Sequence, residues 1–575
     1  MNTKKHTTAT TRASEIICAA NKCIREGSVL YLAGQTSDDL VFEDHIFTSV
    51  DDVLGQYYVK QQNPMPILMY SQDRQLTPLL VQGAPPLKNL PCVGEGTSPS
   101  AVLDKVFKYL EKSCQPVAFI IDFAESILPD PNSSCLSDEG YKIQQQIIHR
   151  AKEVAFRRQG HLIALVSRVE PINAAFSQMP GIAVHNIPLP DRAEREAAIN
   201  ILRKSKTTPL ILAGDLSVEQ LAHSSGGLNL DILSRMRYLT NREHPLTLDA
   251  VLDRKADEIR RLSGGMLIVH DEKRSLAEDI AGLAQLKLYV SNAKLEGKNK
   301  VRILLLGPPG TGKTLSAAAI AREMGTLLVS CVNVKDKYVG ESDKRNERVI
   351  EICKSMSPIV IAFDECDKGF MGKSTHDSSS ADPSIRGRWL EVLGDSGANN
   401  GISIVAMSNH VEAIETAFLD RLDPLAILEA TSAADRARIA AIQLKREGMS
   451  FSEAEIARAF SESSKSYTGR NIIEMLGMAK RTAMRSSNGV IGYGAMEAAI
   501  DNMLHSFTTN MELMSLNAIF HTREREYLPW VAARAMGDST VQLPGYIIPF
   551  LAEDGISYDE KKLEDRIKEL SSLGY

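Results

Sequence analysis

Two hydrophobic patterns alternate along this chain. Short runs rich in Val, Ile and Leu lie at residues 29–33, 117–121, 162–166, 301–306, 359–363 and 404–407. Runs that are apolar throughout, rather than alternating, predict strands buried on both faces of a parallel sheet. Between them apolar residues recur every three or four positions, as at Val102, Val106 and Leu110, which predicts helices. Strands that alternate with helices predict an α/β fold.

The order of these signals occurs twice. In the first half Val93-Gly94-Glu95 precedes a helical pattern, one strand ends in Asp122, and the next leads to Ser167-Arg168-Val169-Glu170. In the second half Val339-Gly340-Glu341 opens a helix, one strand ends in Asp364, and the next leads to Ser408-Asn409-His410. Arg168 follows Asp122 by 46 residues and Asn409 follows Asp364 by 45. The spacing predicts two copies of one α/β unit in tandem.

Chemistry concentrates in the second copy. Gly307-Pro308-Pro309-Gly310-Thr311-Gly312-Lys313-Thr314 stands between a strand and a helix that Leu315 continues. Glycines let such a loop curl so that its N–H groups converge on phosphate oxygens, and the helix N-terminus adds a positive dipole end. Lys313 is placed to reach the β- and γ-phosphates, and the Thr314 hydroxyl to ligate Mg²⁺. Asp364 and Glu365 end the strand at 359–363. There Asp364 can hold Mg²⁺ while Glu365 orients and deprotonates a water that attacks the γ-phosphate. Asn409 ends the next strand as a polar group for the same water. The first copy has no Gly-Lys-Thr, carries Phe123 in place of Glu365 and Arg168 in place of Asn409, and is not expected to hydrolyse ATP.

Composition narrows the partners. Of 575 residues 43% are apolar and 24% charged, and the net charge of −6 provides no overall basic field for nucleic acid. None of the eight cysteines forms a C-x-x-C pair, which suits thiols of a reducing cytosol. No apolar stretch approaches a membrane span, and residues 1–15 are polar without a leader-like apolar region. A cytoplasmic protein with protein partners and no membrane is expected.

With Asp279-Ile280-Ala281-Gly282-Leu283 ahead of the loop, the second half resembles AAA ATPases of the AAA+ superfamily. The resemblance implies that Asp279, Ile280 and Gly282 lie beside adenine, that Asn409 acts as sensor 1, and that Arg421 is an arginine finger for the neighbouring protomer. It further implies a sensor-2 cation at Arg470 and a pore loop at Tyr338 and Val339 that grips polypeptide, with residues 372–388 near a second pore loop. The order of parts is similar to the cyanobacterial and plastid AAA family named as a hypothetical chloroplast reading frame.

The expected organisation is a polar, disordered tail at 1–15, then a degenerate ATPase-like domain with helical lid at 16–247 and a helical linker at 248–275. An AAA+ α/β domain at 276–429, its helical lid at 430–505 and a mostly helical extension at 506–575 follow. The expected function is an ATP-hydrolysing ring, a hexamer by resemblance, that remodels or translocates a macromolecule, foremost protein. A nucleotide-controlled switch or scaffold is the alternative, and a nucleic-acid remodeller or loader the third.

Overall fold

The computed structural model describes residues 11–573 apart from 95, 114, 130–137, 152, 154–159, 170, 173, 298–299, 333–340, 370, 374–382, 395–400, 431, 464–465, 486–488, 504–507 and 538–542. Tyr338 and Val339, much of 372–388 and residues 1–10 of the tail therefore lie outside the described residues. The chain divides into two compact units, Met1–Val251 and Leu252–Tyr575.

In the first unit, helix α1 (Arg12–Glu26) leads into β1 (Val29–Gly34), the hairpin β2 (Leu40–Phe42) and β3 (His45–Phe47), and α2 (Val50–Val59). Next come β4 (Ile67–Ser71), β5 (Gln75–Pro78), α3 (Pro99–Lys112), β6 (Ala118–Asp122), β7 (Leu162–Val166) and β8 (Ile182–Ile187). The six-stranded sheet runs β8-β1-β7-β6-β4-β5, parallel except for the edge strand β5. Successive residues of a strand point to opposite faces. Thus Phe119, Ile121, Ile163 and Leu165 join the core under α3, while Ala118, Ile120, Leu162 and Ala164 join the core under α1 and α2. Both faces are covered, which is why these runs are apolar throughout.

Helices α4 (Arg192–Arg203), α5 (Val218–Ser224) and α6 (Leu230–Met236) form a small lid with its own core, including Ile199, Leu202, Leu221 and Leu233. Buried charge ties this lid to the sheet. Arg12, 4% exposed, donates to Glu194 of α4 and to Asp38 after β1, each at 2.8 Å.

The linker helix α7 (Leu248–Ser263) crosses the division between the units. In the second unit β9 (Leu267–His270), α8 (Ala284–Leu295), β10 (Arg302–Leu306), α9 (Lys313–Glu323) and β11 (Leu328–Cys331) come first. Then follow α10 (Glu341–Ser355), β12 (Ile359–Phe363), α11 (Pro383–Gly394), β13 (Ile402–Ser408) and β14 (Asp423–Ala426). The sheet order is β14-β10-β13-β12-β11-β9, again parallel except for one edge. Lys255 of α7 is fully buried and donates to the Pro358 carbonyl at 2.6 Å, a carbonyl that Thr326 also bonds.

The two sheets have the same order of parallel strands, so both units are αβα sandwiches of one architecture. Even the turn after the first strand corresponds. A Cβ on Gly34 (φ 83°) would stand 2.4 Å from the Ile187 carbonyl oxygen, and one on Gly307 (φ 146°) 2.0 Å from that of Ile427. Only glycine fits where the backbone is both left-handed and pressed against the neighbouring strand's end. The antiparallel edges differ in origin: β5 follows its neighbour β4 in a hairpin, whereas β9 comes from the chain ahead of β10.

Helices α12 (Ala433–Arg446), α13 (Glu453–Ser461), α14 (Gly469–Arg485) and α15 (Tyr493–Asn502) make the second lid around Leu444, Phe460, Met475 and Leu476. The extension contains α16 (Thr509–His521), α17 (Pro529–Ala535) and α18 (Glu560–Ser572). It is docked on the ATPase-like core rather than hanging free. Tyr527 stacks edge-on against Tyr289 of α8 at 5.3 Å and accepts from Asn292 at 3.1 Å.

Candidate nucleotide site

The apolar strand β10 delivers Gly307 to the C-terminal edge of the second sheet, and α9 begins at Lys313. Loop and helix start are thereby held above the edge where β12 and β13 also end. Lys313 donates to the carbonyls of Gly307 and Pro308 at 2.8 Å and to Asn409 Oδ1 at 2.7 Å. Thr314 Oγ1 lies 3.3 Å from Asp364 Oδ2, and Asp364 Oδ1 accepts from the Glu365 N–H at 2.9 Å. The Glu365 carboxylate pairs with Lys368 at 3.0 Å, both side chains exposed.

A cavity of about 840 Å³ opens here, within the range usual for small-molecule sites. Lys313, Thr314, Asp364, Glu365 and Asn409 line its polar end. Pro309, Gly310, Thr311, Gly312 and Leu315 of the same loop and helix line it as well, and so do Asp279, Ile280, Gly282 and Arg470. The structure therefore brings together every described residue expected near nucleotide except Arg421. Arg421 is exposed, donates to the Ala417 carbonyl at 2.8 Å and stands outside this cavity.

Arg470 reaches the site through its backbone as well. Its N–H donates to the Gly310 carbonyl at 3.1 Å, and a Cβ on Gly310 (φ 80°) would meet the Arg470 Cβ at 2.8 Å. The lid thus presses α14 directly onto the loop. Burial pulls the Lys313 ammonium down to about 8; Asp364 opposes that pull and the like charge of Arg470 adds to it.

Thr314 and Asp364 offer two hard oxygen donors facing each other at the phosphate-binding end, a donor set that suits Mg²⁺ completed by phosphate and water. Apolar side chains line the cavity as well: Leu283, Ile439 and Ile442, together with Pro529, Trp530, Met536, Leu543 and Pro544 of the extension. These last residues carry no local sequence motif. One hint is compositional: Trp530 is one of only two tryptophans in the chain.

The first unit keeps the turn and lacks the loop chemistry. Arg168, two residues past the end of β7, donates to Asp122 at 2.6 Å, to Asp51 of α2 at 2.7 Å and to the Thr36 carbonyl at 2.6 Å. Its guanidinium and the two carboxylates are largely buried together.

Residues 303–429 match the family model described as ATPase family associated with various cellular activities (AAA). Similar proteins include Protein CdcH of Halobacterium salinarum, 23% identical over 70% of this chain and 58% of that protein. ATP-dependent zinc metalloprotease FtsH 3 of Symbiobacterium thermophilum is 27% identical over 42% of this chain and 41% of that protein. Uncharacterized AAA domain-containing protein ycf46 of Pyropia yezoensis is 26% identical over 48% of this chain and 58% of that protein. The chain thus spans less than two thirds of the length of these relatives. Residues 303–429 form an AAA ATPase domain.

Proposed function

We propose that this protein couples Mg·ATP hydrolysis to the remodelling of a macromolecule, foremost a protein, and that it works as a hexameric ring. The observation that carries the reading is the gathering of Lys313, Thr314, Asp364, Glu365 and Asn409 around one end of one cavity. In it, the N–H groups of Gly310 to Thr314 hold phosphate, and Lys313 leaves its loop carbonyls to neutralise the β- and γ-phosphates. Thr314 and Asp364 hold Mg²⁺, which would withdraw charge from the phosphate oxygens. Glu365 takes the proton of the attacking water while Asn409 fixes its position. Arg470 adds positive charge from the lid, and Ile280 and Gly282 flank the base.

The ring is supported by Arg421. An arginine that stands outside its own chain's cavity can act on a neighbour's, as arginine fingers do. The first unit, on this reading, is an ATPase-like domain that holds no nucleotide. Arg168 supplies there, as a fixed side chain, the positive charge that opposes Asp122 and Asp51. Free thiols at Cys18, Cys23, Cys92, Cys331, Cys353 and Cys366 fit a reducing cytoplasm.

A Glu365→Gln protein tests the work done. With ATP it should retain polypeptide, and a photoreactive residue at position 338 should crosslink to that polypeptide. Crosslinks confined to the ring, with partner exchange that follows the ATP state, would favour the switch. Salt-dependent capture of DNA or RNA would favour the nucleic-acid remodeller.

A further inference from the structure

We propose that the C-terminal extension is the nucleobase wall of the ATP site, made by Pro529, Trp530, Met536, Leu543 and Pro544. The proposal rests on the reading of the cavity as a nucleotide site. Phosphate sits where the glycine loop, Lys313 and the carboxylates converge. The flat, weakly hydrated base needs apolar lining elsewhere in the cavity, and these five residues supply it together with Leu283, Ile439 and Ile442.

The wall is built rather than incidental. Helix α17 lies against α8, the helix that Gly282 and Leu283 introduce, and Tyr527 just ahead of α17 packs on Tyr289 and accepts from Asn292. Trp530 is 1% exposed, and its indole N–H donates to the Ile556 carbonyl at 2.8 Å, so its ring is fixed in orientation. Further along the chain, Tyr546 donates to the buried Glu429 carboxylate at 3.0 Å, which anchors Leu543 and Pro544 beside the strand that leads to Leu428. With its only N–H committed to Ile556 and its ring buried, the indole gives the wall a rigid apolar backing. Such a wall offers a base apolar contact without reading its hydrogen-bonding edge. Met536, 51% exposed, completes the rim as a flexible apolar side chain.

The same extension touches the segment that carries Arg421. Arg523 donates to the Leu419 carbonyl at 2.5 Å, two residues from Arg421.

Calorimetry on the full chain separates base from phosphate with two probes, a non-hydrolysable ATP analogue and inorganic triphosphate. Met536→Glu should weaken the analogue about tenfold, the loss expected when a few tens of Å² of apolar contact give way to a carboxylate. Its triphosphate affinity should stay within about twofold, which also shows that the chain is folded. Lys313→Ala should abolish both. A second readout needs no change in the wall: with Trp389→Phe, Trp530 is the sole tryptophan, and its emission should respond to the analogue and not to triphosphate. Analogue affinity unchanged by Met536→Glu, equal loss of both probes, or a silent Trp530 would each overturn the proposal. If the parent protein binds neither probe, the nucleotide-site reading fails and takes the wall with it.

Discussion

Phe123 and Glu365 share one backbone conformation, left-handed with φ 50° and 45°, and each directly follows an aspartate at the end of a buried parallel strand. Residues other than glycine reach this region at a cost of about 1–2 kcal/mol. Both units bear that cost although the side chains differ, so the turn belongs to the architecture and the glutamate to the chemistry. Glu365→Gln should therefore keep the turn and nucleotide affinity while slowing hydrolysis about 10²–10⁴-fold. Phosphate release and calorimetry measure the two. A rate close to the parent's would move the base elsewhere.

Arg168 is expected to matter for stability and not for nucleotide. Arg168→Ala would leave Asp122 and Asp51 buried without their cation, a change that costs about 3–5 kcal/mol. Hydrogen exchange of peptides from β6 and β7 should speed up accordingly. Titration with the ATP analogue should still give one site per chain, as for the parent protein. A second site in the parent, or loss of the single site in the variant, would refute the degenerate-unit reading.

Lys313 sets a pH limit on binding. Burial holds its ammonium at about 8, with Asp364 pulling the other way and Arg470 reinforcing the shift. Phosphate needs the charged form, so above about pH 8 binding must be accompanied by proton uptake. Affinity should then fall by up to about tenfold per pH unit until the ordinary lysine range is reached. The sign for folding is opposite: a depressed lysine pKa disfavours the fold in full below about pH 8, and that penalty is relieved as pH rises from about 8 towards the ordinary lysine range. Analogue titrations from about pH 6 to 9.5 check the first effect, and Arg470→Ala should move the bend to higher pH. A flat profile would show that Lys313 does not titrate there.

Arg421 should act on a neighbour. Lys313→Ala and Arg421→Ala proteins, each inactive alone, should regain part of the ATPase rate when mixed, because some interfaces then pair an intact loop with an intact finger. An arginine finger contributes about 10³–10⁵ in rate, so even a few such interfaces are measurable. Mixed rings that stay inactive would remove Arg421 from the site.

What the sequence made legible was local. Gly307 to Thr314 announces itself because phosphate binding constrains adjacent residues, and the Asp364-Glu365 pair is readable because a buried strand delivers it. The tandem of two α/β units was legible through the repeat of apolar runs. The edge strands were not: Gln75–Pro78 is short, half polar and partly exposed, and Leu267–His270 is short with Ile268 turned to the exposed side. Trp530 and Met536 escaped because their place at the cavity is created by packing across more than 200 residues of chain, counted from the loop at Gly307–Thr314.

At the foot of β12 the sheet meets the linker helix. Five residues at a strand's rise span about 16 Å, with Asp364 and Glu365 at one end and Pro358, clasped by Lys255 and Thr326, at the other. A strand hydrogen-bonded on both sides is stiff along its length. Any lengthwise shift of the Asp364 and Glu365 carboxylates would therefore either strain the clasp or carry Lys255 with it, so the strand couples that end of the sheet to the linker helix.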